Sequence, residues 1–141
     1  MIQSILVAVD GSAMAPRVLA AALEVGDRFD ARVALLRAIL VPPEFPAAAH
    51  MAMADPLPEI MRREATSELL ALAAGHPRAL VAPPMVVSGQ AWRVICETAD
   101  AQGVDLIVIG SHGYGTWDRI LGTTAQKVVN HATRNVLVVR P

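Results

Sequence analysis

A chain of 141 residues fits one folded domain, since domains most often span about 100–150 residues. Its 54% hydrophobic and 18% charged residues exclude intrinsic disorder, and a formal net charge of −1 provides no basic surface for nucleic acid. No apolar run approaches the ~20 residues that span a bilayer, the start lacks the basic segment of a signal peptide, and the single cysteine cannot form an internal disulfide. We therefore expect a cytoplasmic protein with one domain, residues 1–141, and neither nucleic-acid nor membrane partners.

Hydrophobic periodicity predicts strands and helices in strict alternation. The predicted order is strand 3–9, helix 13–29, strand 32–40, helix 57–74, strand 82–88, helix 90–102, strand 104–109, helix 123–132 and strand 135–139. Several strands are apolar almost without interruption, as parallel strands covered on both faces are. The sequence therefore predicts an α/β fold: a single doubly wound, five-stranded parallel sheet with helices on both faces.

Four residues mark the expected helix ends. Ser12 and Ser88 lie where N-cap residues are expected, before the first and third helices. Gly75 and Gly103 lie just past the ends of the second and third helices, where glycine commonly terminates a helix.

Residues 41–56 form a proline-rich stretch that is too long for an ordinary connection. One interpretation is a surface insertion whose Phe45, Met51 and Met53 fold back on the body of the domain. The other is a lid or a partner-binding flap, because long loops often have a function.

Glycines at two strand and helix boundaries predict a site for phosphate. Gly110–Gly113 follows the fourth strand, and Gly122-Thr123 begins a helix whose backbone N–H groups can bind an anion. Asp10 follows the first strand and either accepts hydrogen bonds from a ribose hydroxyl or base amino group, or forms only a strand-to-helix turn. If the first and fourth strands are neighbours, all these groups face one crevice at the carboxyl edge of the sheet.

The predicted phosphate site differs from a Walker A loop, because GxxxxGK[ST] is absent and the only loop cation is Arg119. A triphosphate would be under-neutralised there, so we expect Mg²⁺ or Mn²⁺ held mainly by the nucleotide rather than by protein metal ligands. His112 and Asp118 are the only candidate general bases near a γ-phosphate, and no catalytic triad is predicted. We expect no catalytic residues.

The chain resembles the universal stress protein family over its whole length. The resemblance rests on Ile5–Ser12, Val33–Leu36, Asp105–Gly113, Leu121–Ala132 and the ending Asn135–Pro141. It implies strand order 3-2-1-4-5, a homodimer paired through the last strand and, in one subfamily, ATP binding. Independently, the apolar strand at Val136–Val139 would leave an open edge that favours pairing with a second copy.

ATP-binding members of the family share the pattern G-x2-G-x9-G-[ST]. Here Gly110-x2-Gly113 fits, but only eight residues separate Gly113 from Gly122-Thr123, so the loop is one residue shorter than in the pattern. By position, the resemblance implies adenine and ribose contacts from one group of residues, and phosphate contacts from another. These are Ala8, Val9, Asp10 and the backbone of Ala38 for the nucleoside, and Gly110, Gly113, Gly122, Thr123 and Thr124 for the phosphates.

Three functions follow as alternatives. The first, which we favour, is a non-enzymatic, ATP-binding or adenine-nucleotide-binding stress-response regulator. The second is a slow ATPase or an adenylyl-transferring relative on the same fold, and the third is a nucleotide-free dimeric interaction module that acts through residues 41–56. The sequence does not distinguish ATP from other adenine nucleotides.

Overall fold

A computed structural model describes residues 1–42, 54–76, 80–111 and 121–141. All nine predicted strands and helices are present in these ranges. The strands are β1 (Ser4–Ala8), β2 (Arg32–Ile39), β3 (Met85–Ser88), β4 (Leu106–Gly110) and β5 (Asn135–Val139). The helices are α1 (Ala15–Phe29), α2 (Leu57–Ala74), α3 (Ala91–Gln102) and α4 (Thr123–His131).

The strands form one sheet in the order β3-β2-β1-β4-β5, and every pairing is parallel. This confirms both the α/β class and the strand order that the family resemblance implies. The order reverses at β1, which pairs with β2 on one side and β4 on the other. In open α/β sheets this switch point leaves a crevice beyond the carboxyl ends of the strands.

Alternate residues of the central strands pack against helices on opposite faces of the sheet. Ile5, Val7, Leu35 and Val108 belong to the cluster that α1 and α2 cover, and Leu6, Leu36 and Ile107 belong to the cluster that α3 and α4 cover. These strand residues are almost fully buried. Two-sided burial explains why their sequences lack polar alternation.

The third strand is shorter than predicted, because it begins at Met85 rather than at residue 82. Pro83 and Pro84 have no N–H to donate to a ladder, so regular pairing with β2 begins only after them. Leu80 still forms an isolated parallel bridge with Val33.

The two predicted N-caps are wrong. Helix α1 has Met14 at its N-cap and α3 has Gln90, and neither helix has a side-chain capping bond. Ser12 instead accepts a long hydrogen bond from the Met14 N–H at 3.4 Å, and Ser88 is the last residue of β3. The C-terminal predictions are confirmed, since Gly75 and Gly103 are the C-caps of α2 and α3, and Gly103 has φ 61°.

Candidate nucleotide site

A cavity of about 200 Å³ lies at the switch point, beyond the carboxyl ends of β1 and β4. Its walls come from strand ends on one side and from the first turns of helices on the other. Eight of the nine residues predicted for the site line this cavity: Ala8, Val9, Asp10, Ala38, Gly110, Gly122, Thr123 and Thr124. The ninth, Gly113, lies outside the described residues, as do His112, Asp118 and Arg119.

Asp10 occupies the turn that leaves β1. Its Oδ1 accepts a hydrogen bond from the Ser12 N–H at 2.9 Å, which is the geometry of an Asx turn. The side chain is exposed and also lines the cavity. The two interpretations of this residue are therefore compatible, since one oxygen forms the turn and a carboxylate has a second oxygen.

Ala38 reaches the cavity because β2 continues beyond the end of β1. The pairing of β1 with β2 ends at Ala8 and Leu36, and the Val9 N–H then donates to the Leu36 carbonyl at 3.0 Å. Ala38 lies further along β2 and pairs on its other side with Val87 of β3. The β2 backbone therefore passes alongside the cavity without a β1 neighbour at this level.

The start of α4 is tied directly to the end of β4. The Gly122 N–H donates to the Ser111 carbonyl at 2.8 Å, and the N–H of the buried Ser111 donates to the Val139 carbonyl at 2.8 Å. These bonds hold Thr123 and Thr124 beside Gly110. Because Gly122 provides no side-chain cap, the first N–H groups of α4 are suited to bind an anion.

Several cavity residues were not among the predicted site residues. Met14, Ala15 and Val18 come from the start of α1, and Ala91 and Ile95 come from the start of α3. The hydrophobic periodicity that predicts these two helices indicates only that their apolar positions are buried. Parallel crossovers place helix starts near the edge where strands end. Apolar residues in the first turn of each helix could therefore have been predicted to line the cavity.

The charges at the cavity do not resemble a protein-built metal site. In the described ranges, no group of three or more His, Cys, Asp or Glu residues is arranged to hold a metal ion. Asp10 is the only charged residue among the described residues that line the cavity. Separately, no helix in the described part of the chain is long and apolar enough to cross a bilayer.

Comparison with known proteins identifies the family. The model of the universal stress protein family matches residues 1–140. Universal stress protein A homolog 1 of Coxiella burnetii is 38% identical over 53 residues, which cover 38% of this chain and 37% of that relative. The match thus spans well under half of that relative's length.

Solved structures match almost the whole chain. Universal stress protein UspA from Lactobacillus plantarum has a TM-score of 0.79 and 27% identity, over 99% of this chain and 98% of that one. A universal stress protein solved in complex with cAMP has a TM-score of 0.61 and 24% identity, over 99% and 97% of the two chains. Since the family model spans residues 1–140, this protein belongs to the universal stress protein family.

Proposed function

We propose that this protein is a stress-response regulator that binds an adenine nucleotide, ATP in the first place, and that it has no catalytic activity of its own. The main support for the proposal is that residues from separate parts of the sequence come together around one cavity. Asp10 follows β1, Ala38 and Gly110 lie near the ends of β2 and β4, and Thr123 begins α4. All four line one cavity at the topological switch point. This is where α/β sheets bind nucleotides.

Each wall of the cavity offers a different interaction for a nucleotide. The Asp10 carboxylate and the β2 backbone at Ala38 suit the ribose and base, because both groups can accept hydrogen bonds. The uncapped start of α4, with the hydroxyls of Thr123 and Thr124, suits phosphate oxygens. A universal stress protein of the same fold was solved in complex with cAMP, so this fold is able to bind an adenine nucleotide.

A bound triphosphate would carry its own divalent cation. The described cavity lining provides one carboxylate, Asp10, whose Oδ1 already accepts the Ser12 N–H. We therefore propose that Mg²⁺ or Mn²⁺ is held mainly by phosphate oxygens. We further propose that residues 1–141 form one domain and that the protein is cytoplasmic.

Calorimetric titration of the purified protein with ATP and Mg²⁺ tests the proposed function. A denatured aliquot is first analysed for nucleotide retained during purification. We expect saturable binding of one nucleotide per subunit, or retained adenine nucleotide, and no phosphate release above the buffer rate. Binding with phosphate release that His112→Ala abolishes would favour the slow ATPase instead. Absence of both binding and retained nucleotide would contradict the proposal and favour an interaction module that uses residues 41–56.

A further inference from the structure

A second cavity, of about 290 Å³, adjoins the first. The two share Ala38, Ala91, Thr123 and Thr124 as lining residues. Small-molecule sites usually have volumes of ~300–1,000 Å³, so the first cavity alone is small for a nucleotide, whereas the two together fall within that range. The shared residues make the second cavity a continuation of the first, past the start of α4.

The two cavities differ in charge. Among their described lining residues, Asp10 is the only charged side chain of the first, and Lys127 is the only charged side chain of the second. The shared residues, Ala38, Ala91, Thr123 and Thr124, lie between these ends. A nucleotide has the same polarity, with hydrogen-bond donors on its ribose and base, and negative charge on its phosphates. This favours one orientation, with the nucleoside toward Asp10 and the phosphates toward Lys127.

Lys127 is available to an anion. It is the only lysine in the sequence and lies one helical turn beyond Thr123 on α4, with an exposed side chain. Its Nζ is 5.9 Å from the centroid of the Trp92 ring. Within the described ranges, no carboxylate forms a salt bridge with it. Its ammonium group therefore has no described acidic partner to displace.

Basic side chains surround Trp92, which lines the second cavity. The His131 ring packs at 4.7 Å between centroids, tilted by 41°, and the Arg93 guanidinium lies 5.4 Å from the centroid of the Trp92 ring. With Lys127 also beside it, the ring has three basic side chains around it among the described residues. The positive charge of Arg93 and Lys127 favours an anionic group, such as a phosphate, as the occupant of this cavity.

We propose that the second cavity receives the phosphate end of the nucleotide, and that Lys127 makes affinity depend on the number of phosphates. This inference rests on the proposed function and extends it to the phosphate specificity of the site. The ammonium group would add a charge-assisted contact that grows with phosphate charge, whereas a nucleoside would gain nothing from it.

Titration with ATP, ADP, AMP and adenosine tests the inference, using wild type, Lys127→Gln and Lys127→Arg. We expect affinity to fall from ATP to AMP in the wild type, and ATP to bind about three- to tenfold more weakly to Lys127→Gln. Adenosine should bind with equal affinity to the wild type and to Lys127→Gln. Lys127→Arg should retain the preference, and 1 M salt should reduce it. Arg28→Gln is the control and should bind ATP as the wild type does, because it removes an exposed cation from the last turn of α1 that lines neither cavity.

Amine acetylation gives a second readout, because Lys127 and the amino terminus are the only primary amines. Mass spectrometry would follow the reaction of each with an N-hydroxysuccinimide acetate. ATP should slow acetylation of Lys127, adenosine should not, and the amino group of Met1, a residue that is 99% exposed, serves as the internal reference. If wild type binds ATP but ATP neither protects Lys127 nor binds less tightly to Lys127→Gln, the inference is wrong and the proposed function stands. If wild type binds no adenine nucleotide at all, the proposed function itself fails.

Discussion

At the scale of single residues, Asp10 combines a structural and a proposed ligand role. Its Oδ1 accepts the Ser12 N–H at 2.9 Å and so shapes the turn between β1 and α1. The same side chain lines the cavity. A substitution that removes the carboxylate therefore alters both the turn and the cavity, and separating the two effects requires a variant that retains the turn.

Asp10→Ala should weaken ATP binding by about 1–3 kcal/mol and also lower thermal stability, because it removes a ligand acceptor and the Asx turn together. Asp10→Asn should weaken binding while retaining stability. The amide oxygen can still accept the hydrogen bond from the Ser12 N–H, but the NH₂ group cannot accept a hydrogen bond from the ligand. Calorimetry and thermal melting of both variants provide the measurements. Normal ATP affinity in both, with a loss of stability in Asp10→Ala alone, would assign Asp10 to the turn only.

At the scale of elements, close packing of α1 on β2 depends on a residue without a side chain. Gly26 is buried in α1, and a Cβ there would lie 2.7 Å from Val33 Cγ2 and 3.3 Å from the Ala31 carbonyl oxygen. Val33 is itself buried and β-branched, so it has little freedom to move. Helix propensity favours alanine over glycine at this position of α1, but the close contact with Val33 disfavours an added side chain.

Gly26→Ala should therefore destabilise the protein by about 1–3 kcal/mol, because overpacking outweighs the gain in helix propensity. Gly75→Ala is the matched control, since a Cβ there has no atom of the described residues within 4 Å and φ is −69°. That variant should match the wild type or be more stable by about 0.5 kcal/mol. Urea unfolding measures all three proteins, and equal midpoints for Gly26→Ala and wild type would show that α1 shifts at little cost.

Two carboxylates join separate elements at the amino-terminal edge of the sheet. Asp105 Oδ2 accepts the Gln3 N–H at 2.9 Å and the Ser4 N–H at 3.0 Å, and these bonds lower the pKa of its carboxyl group. Asp100 accepts hydrogen bonds from Thr133 and Arg134, which lower its pKa in the same way. A carboxylate whose pKa is lower in the folded state stabilises the fold above its unfolded pKa, and this stabilisation is lost as the pH falls through the folded value.

Asp105→Asn should consequently flatten the acid side of the stability profile. The wild type should lose stability more steeply than this variant below about pH 4, near the ordinary pKa of an aspartate, because only a carboxylate is protonated there. Thermal melting from pH 7 to pH 2.5 makes the comparison. Asp27→Asn, at an exposed position on α1, serves as the control and should follow the wild type. Parallel profiles for wild type and Asp105→Asn would contradict this account.

At the scale of the whole molecule, the sheet has two outer strands, β3 and β5, in the described part of the chain. Each β5 residue pairs with β4 on one side, and Val136–Val139 are only partly buried. Unpaired backbone groups of such an edge favour pairing with an identical strand about a two-fold axis. We propose that two copies associate through β5.

Sedimentation velocity should give a species of twice the 14.9 kDa chain mass at micromolar concentration. Hydrogen exchange at residues 135–139 should become faster on dilution, because dimer dissociation exposes the outer side of β5. The amides of β1, which lies between two strands, should show no such dependence and serve as the reference. A monomer at all concentrations, with exchange at β5 independent of dilution, would rule this dimer out.

Sequence alone determined the elements and most of the positions that line the first cavity. Uninterrupted apolar strands and amphipathic helices specify local structure, because burial on two faces or one face imposes a hydrophobic period. Gly110, Gly122 and Asp10 indicated which strand ends border the predicted site. The match to a known family then supplied the strand order.

Tertiary structure decided what no local period encodes. The start of α1 at Ala15 rather than residue 13, and of β3 at Met85 rather than residue 82, depends on turn and ladder hydrogen bonds. Val18 and Ile95 form cavity walls only because crossovers bring their helix starts to the carboxyl edge of the sheet. Lys127 meets the second cavity through the packing of α4 beside α3. A hydrophobic period shows which side of a helix is buried, but only the assembled sheet determines which cavity that side borders.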